Sequence, residues 1–221
     1  DYPELDPDWE RDVPMLIKWT EDNFVFRTEN KEPSTMWGAN IVGEQDSFNF
    51  KMDYQTARYA AACARWYAVS GDESYKEKAY RSLNWVTYCN DSTGMAFESP
   101  VSKGILSWWS DCYGECPRMF YHAFSAVPEW APKHEDHILY SEGILRSVQY
   151  VEKQVKYTAA AENGVEYLRL SFKPDRVTVD GKEILPGKTL EPDTFLLKKL
   201  GKGDYALTIK HSKAGEVLIA G

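Results

Sequence analysis

Two stretches of the chain gather the residue types that acid/base and sugar chemistry require. The denser runs from Trp108 to Arg118 (WWSDCYGECPR), where paired indoles, two acids, a phenol and a guanidinium lead into a helix opened by Pro117. There Asp111 and Glu115 are candidate catalytic carboxylates. Trp108, Trp109 and Tyr113 are candidate stacking platforms for a ligand, and Arg118 is the charge that would hold a neighbouring acid ionised. The second stretch, Gly43 to Tyr54, carries Glu44, Asp46 and Asp53 with the rings of Phe48, Phe50 and Tyr54. Glycoside cleavage needs two carboxyl groups across the bond, about 5 Å apart for retention or about 6.5–9.5 Å for inversion, one of them held protonated by its surroundings. Glu44 with Asp46 can supply one partner and Tyr54 a binding ring, whereas Asp53 reads better as the cap of a helix starting at 54. The plain alternative makes both indoles core residues, Glu115 a helix-dipole acid and Arg118 a surface pair.

Other chemistries find less in the sequence. Cys112 and Cys116 are spaced C-x3-C, which is not the redox C-x-x-C. His134 and His137 stand three apart but lack a second ligand pair, and the acids between them suit a helix start after Pro132. No Gly-rich phosphate loop, G-x-S-x-G or H-E-x-x-H occurs, so neither a cofactor nor a metal is expected. A net charge of −8 with both signs mixed along the chain offers no basic stripe to a phosphate backbone, so no nucleic-acid partner is expected. The longest apolar runs fall far short of the ~20 residues of a membrane span, so no membrane partner is expected either. Aromatic residues make up 14% of the chain, and several sit beside polar loop residues, which points to a carbohydrate ligand.

Periodicity predicts the elements that would position these groups. Asp6-Pro7-Asp8 reads as a helix start, with a helix over 8–23 that Pro14 could interrupt. Residues 27–50 show no sustained period and read as a long irregular connection. Residues 53–69 form an Ala-rich helix that neighbours can approach closely. Ser70-Gly71-Asp72 then turns the chain into a second helix over 73–89, and the pair makes an αα-hairpin. A further helix is expected at 117–127, with short helical pieces near 82–90 or 134–141. The segment YAAACARWYAVSGDESYKEKAYRSLNWVTY resembles the hairpins of the six-hairpin glycosidase-like (α/α) toroid superfamily, and the chain as a whole resembles the C-terminal part of large bacterial proteins of that kind. The resemblance implies a central cleft lined by the two stretches above, and a glycoside hydrolase or polysaccharide lyase. About 140 residues cannot close twelve helices, so the expected toroid is incomplete, to be completed by the remainder of a larger chain or by a second subunit.

Past 148 the period changes to two. Strands are expected near 149–151, 155–158, 165–172, 177–179, 205–211 and 216–219, with Asn163-Gly164 and Asp180-Gly181 as hairpin turns. The reading is therefore α+β: helical hairpins over 1–145, then a small antiparallel sheet or sandwich over 146–221. Its functional expectation is a carbohydrate-active protein; the alternative from another class is a noncatalytic glycan-binding or structural module.

Overall fold

A computed structural model describes residues 3–26, 38–45, 48–51, 53–90, 92–93 and 115–221. The chain is α+β and divides into a first unit, Asp1–Ala126, and a second, Val127–Gly221.

The first unit contains, among the described residues, four α-helices: α1 (Trp9–Phe24), α2 (Asp53–Ser70), α3 (Glu73–Thr87) and α4 (Glu115–Ala126). Strands β1 (Val25–Phe26), β2 (Ile41–Gln45) and β3 (Phe48–Lys51) form a small antiparallel sheet. Helix α1 continues through Pro14; the carbonyl that loses its amide partner belongs to Glu10, which is exposed and can be met by water. Helix α2 packs against both α3 and α4 because its alanines 57, 60, 61 and 64 are almost wholly buried and carry no bulk. Gly71 sits at φ +72 with its amide on the Tyr67 carbonyl, which ends α2, and the Asp72 carboxylate then accepts the Ser74 amide at 2.9 Å to start α3. Hydrogen bonding from Ser74, by its hydroxyl and its amide, holds the Asp72 carboxyl below the usual aspartate range. Asp72→Ala should lower the melting temperature of this unit by a few degrees without altering the folded spectrum, as read by thermal circular dichroism.

With four helices among its described residues and two five-stranded sheets, the chain is not an (α/α) toroid. The hairpin motif that carried the resemblance is a general solution for two antiparallel helices joined by a Gly-Asp turn, and it does not specify what surrounds it. The cleft and the hydrolase or lyase activity that the toroid implied lose their basis with it.

The second unit is a β-sandwich built from β4 (His137–Ser141), β5 (Leu145–Val151), β6 (Gln154–Ala159), β7 (Gly164–Leu170), β8 (Arg176–Val179), β9 (Lys182–Glu183), β10 (Leu185–Pro186), β11 (Thr194–Lys199), β12 (Tyr205–His211) and β13 (Gly215–Ala220). One sheet has the order β10-β11-β12-β7-β4 and the other β5-β6-β13-β8-β9. Alternate residues of both sheets meet inside, among them Val155, Tyr157, Leu168, Leu170, Leu207, Ile209, Val217 and Ile219. Asp180-Gly181 is the expected primed turn, with both residues at positive φ. Residues 160–163 are not a hairpin, because β6 and β7 lie in different sheets; the chain crosses the sandwich there. Residues 137–141, in one of the two stretches offered for a short helical piece, form β4 instead, and its Leu139 is buried.

Candidate functional site

In the first unit a pocket of about 380 Å³ lies along α3, lined by Glu77, Tyr80, Arg81, Asn84, Trp85, Thr87 and Tyr88. That volume is at the lower end of the range for small-molecule sites, about 300–1,000 Å³. Its composition follows from helix geometry. Trp85 turns inward into the core cluster that holds Ile41, Ala57, Val86 and Met119 and is 1% exposed, so it anchors the helix. Tyr80 and Tyr88 turn outward and are 50% and 49% exposed. Eight residues of helix separate the two phenols by about 12 Å along the axis, with Asn84 between them. Asn84 is fixed by its Nδ2, which donates to the Tyr80 carbonyl at 2.9 Å, and the Arg81 guanidinium Nε donates to Glu77 at 2.6 Å. The pocket is therefore lined by two half-exposed phenols together with amide, hydroxyl, carboxylate and guanidinium groups.

Two further polar clusters in this unit are tied into the fold. The Glu21 carboxylate accepts from the Tyr59 hydroxyl at 2.7 Å and from Lys78 Nζ at 2.8 Å, and Asn40 donates to the Tyr59 oxygen at 2.6 Å. This joins α1, α2 and α3. Burial holds the Tyr59 phenol far above its usual range and pushes the Cys63 thiol up to about 12, so neither is a ready nucleophile at neutral pH. At the start of α2, Asp53 is fully buried; its Oδ1 accepts the Tyr54 amide at 2.7 Å and its Oδ2 the Cys116 thiol at 3.0 Å. Desolvation raises its pKa, and the hydrogen bonds from the Cys116 thiol and the Tyr54 amide offset that only in part.

The residues singled out from sequence fare differently. Trp108, Trp109, Asp111, Tyr113 and Asp46 lie outside the described residues. Glu44 stands on β2 and Glu115 at the first position of α4, as backbone positions only. Tyr54, on the first turn of α2, is half-buried against the helical core, with Arg58 over its ring at 5.6 Å. Arg118 is exposed on α4.

The second unit carries two buried charged clusters. On the outer face of its first sheet, Arg169 donates to Asp204 Oδ2 from Nε and Nη2 at 3.1 and 2.6 Å. Its Nη1 reaches the carbonyls of Pro128 and Ala131 at 2.8 and 2.7 Å. The same Asp204 oxygen accepts the His134 amide at 3.0 Å; Oδ1 has no hydrogen bond, although His134 Nδ1 stands 3.3 Å away. Burial works to raise the Asp204 carboxyl, but the His134 amide and the Arg169 guanidinium outweigh it and leave it below its usual range. On the inner face, Glu166 and His211 pair at 3.2 Å. A smaller pocket of about 210 Å³ opens at the rim between Asp180, Lys182, Asp193, Ser212 and Lys213, over Val179 and Ile184.

Compared with family models, curated proteins and solved structures, the chain matches none. Among the described residues, no group of three or more His, Cys, Asp or Glu side chains converges as a metal site, and no helix is long and apolar enough to cross a membrane. The α3 pocket had a faint signal in the sequence: on the outward side of an amphipathic helix, Tyr80 and Tyr88 stand where solvated residues are the rule.

Proposed function

We propose that the chain is a noncatalytic binding module whose α3 pocket takes a polyhydroxylated ring ligand, the chemistry of a short saccharide. The observation that carries this reading is the pair of half-exposed tyrosines, Tyr80 and Tyr88, bracketing Asn84 at a pocket of about 380 Å³. A sugar ring has an apolar C–H face that suits a phenol, and hydroxyls at its edge that suit the Asn84 amide, the Thr87 hydroxyl and the Glu77 carboxylate. Hydrolysis has less support than binding. Glu77 is the single carboxylate among the described lining residues and is tied to Arg81, whereas glycoside cleavage requires two acids facing the same bond.

The test is titration calorimetry against glucose-, mannose- and galactose-based disaccharides. Binding to one of them should weaken about tenfold in Tyr80→Ala and again in Tyr88→Ala, as stacking contacts of this size would require. The folded spectrum should be retained in both, since the two side chains are outside the core. Saccharide binding that persists unchanged in the double variant would move the site away from α3, and no binding to any of the sugars would end the carbohydrate reading.

A further inference from the structure

Three strands of the sandwich bring an unusual set of groups together inside it. His211 ends β12, Glu166 lies on β7 and Tyr157 on β6, and all three side chains are wholly buried. His211 Nδ1 lies 2.7 Å from the carbonyl of Lys213, which can only accept, so Nδ1 carries a proton. Nε2 faces Glu166 Oε1 at 3.2 Å. Glu166 also accepts the Tyr157 hydroxyl at 3.1 Å from the opposite sheet and lies 3.3 Å from Ser141 Oγ of β4. With Glu166 ionised, Nε2 donates to it as well, and the imidazole is then a cation. Gly164 is paired with His211 across the sheet, and a Cβ there would stand 2.5 Å from Nε2; the ring lies directly on that backbone with no space for another arrangement.

The next residue, Ser212, extends this fastening to the rim. Its amide and hydroxyl both donate to Asp193 in the turn before β11, at 2.8–2.9 Å. The rim pocket is lined by that pair with Asp180, Lys182 and Lys213. The charged and titratable groups facing His211 are thus Glu166 from β7, Tyr157 from β6 and Asp193 from the turn before β11, with Lys182 beside Asp193.

We propose that His211 is a proton-operated clasp on the sandwich: with both ring nitrogens protonated it holds the crossing at 212–214 and the Asp193 turn shut, and loss of the Nε2 proton releases them and opens the rim pocket. The proton passes from Nε2 to solvent base, no other bond changes, and the Glu166 carboxylate is left facing a nitrogen lone pair in a dry interior. That arrangement is relieved by movement of the end of β12 away from β7. The hydrogen bond to Glu166 raises the His211 pKa against the opposing effect of burial. A raised histidine contributes stability that is full below about pH 6.5 and is lost as pH climbs through the folded value. Release therefore belongs to the alkaline side of the ordinary histidine range. Tyr157, pushed well up by burial and by Glu166, keeps its proton throughout.

The experiment is residue-resolved amide hydrogen exchange on the whole chain between about pH 6 and about pH 9, expressed as protection relative to the intrinsic rate so that base catalysis cancels. The Ser212 and Glu216 amides, which bond to Asp193 and Asp180, should lose protection at least tenfold across this range while Leu168 in the sheet centre keeps its own. In Glu166→Gln the carboxamide can donate to a neutral Nε2 and still accept from Tyr157, so protection at Ser212 should stay level. Equal wild-type protection at both ends of the range overturns the clasp, and so does a Glu166→Gln profile that falls in parallel with wild type.

Discussion

Arg169→Ala should be among the most damaging single changes in the second unit, costing about 3–5 kcal/mol in denaturant unfolding, because it leaves a buried carboxylate without its cation. Arg169 and Asp204 are 1% and 0% exposed, and the guanidinium spends four hydrogen bonds on Asp204 Oδ2 and on the carbonyls of Pro128 and Ala131. Those carbonyls belong to the first residue of the short 3-10 turn Pro128–Trp130 and to the residue after it, so the same cation that neutralises Asp204 also pins the entry segment of the unit onto its first sheet. Removing it uncovers the outer face of β7, where Arg169 lies. The pair itself need not be a net source of stability: Arg169→Met with Asp204→Leu together should recover much of the loss, since a matched apolar pair carries no desolvation penalty. A double variant as unstable as Arg169→Ala would show that the carbonyl contacts carry the effect instead of the ion pair. The pH dependence has a defined sign. Asp204 is held below its usual range, so its contribution is complete above about pH 4 and is lost as pH falls through the depressed folded value. Arg169→Ala should reduce that acid sensitivity along with the stability, the His134 amide being the lowering contact that stays.

These buried charges also mark where the sequence stops being informative. The alternation that reveals β6, β7, β12 and β13 assigns every polar residue to the solvent side, because period two distinguishes two faces and not what covers them. Arg169 does point away from the sandwich core, yet the segment 128–134 lies over it; Glu166 and His211 point inward and survive there by pairing. Neither outcome is visible without the partner segment. The Asp180-Gly181 turn was legible because positive φ at both positions selects those residues, whereas Asn163-Gly164 has the same letters and a different task. Gly164 is there to admit the His211 ring, and the chain is passing between sheets. Strands β2 and β3 fell in a stretch whose glycines and polar residues mask a short pairing that contains a bulge. The α2–α3 hairpin was legible in full, since alanine spacing, αL glycine and aspartate cap agree. That local agreement also made a toroid look natural, although nothing in one hairpin encodes how many others accompany it.

Trp85→Ala should be the corresponding change in the first unit, with a cost of about 3–5 kcal/mol. Among the described residues Trp85 is the largest fully buried side chain, and it shares its core cluster with Ala39, Ile41, Ala57, Ala61 and Met119, several of them too small to close the space it would leave. Trp85→Phe keeps part of the ring volume and should cost markedly less, which separates cavity formation from any effect on helix propensity. The two classes of α3 variant then distinguish scaffold from site. Trp85 forms the inner wall of the pocket whose outer rim is Tyr80 and Tyr88, so its removal should lower stability and saccharide binding together. Tyr80→Ala and Tyr88→Ala, on half-exposed positions, should lower binding and leave the melting temperature nearly unchanged. If instead the tyrosine variants melt as early as Trp85→Ala, the two phenols are part of the packing of α3 and the pocket has no independent binding surface. A stability-neutral loss of binding is the pattern that only a ligand site produces.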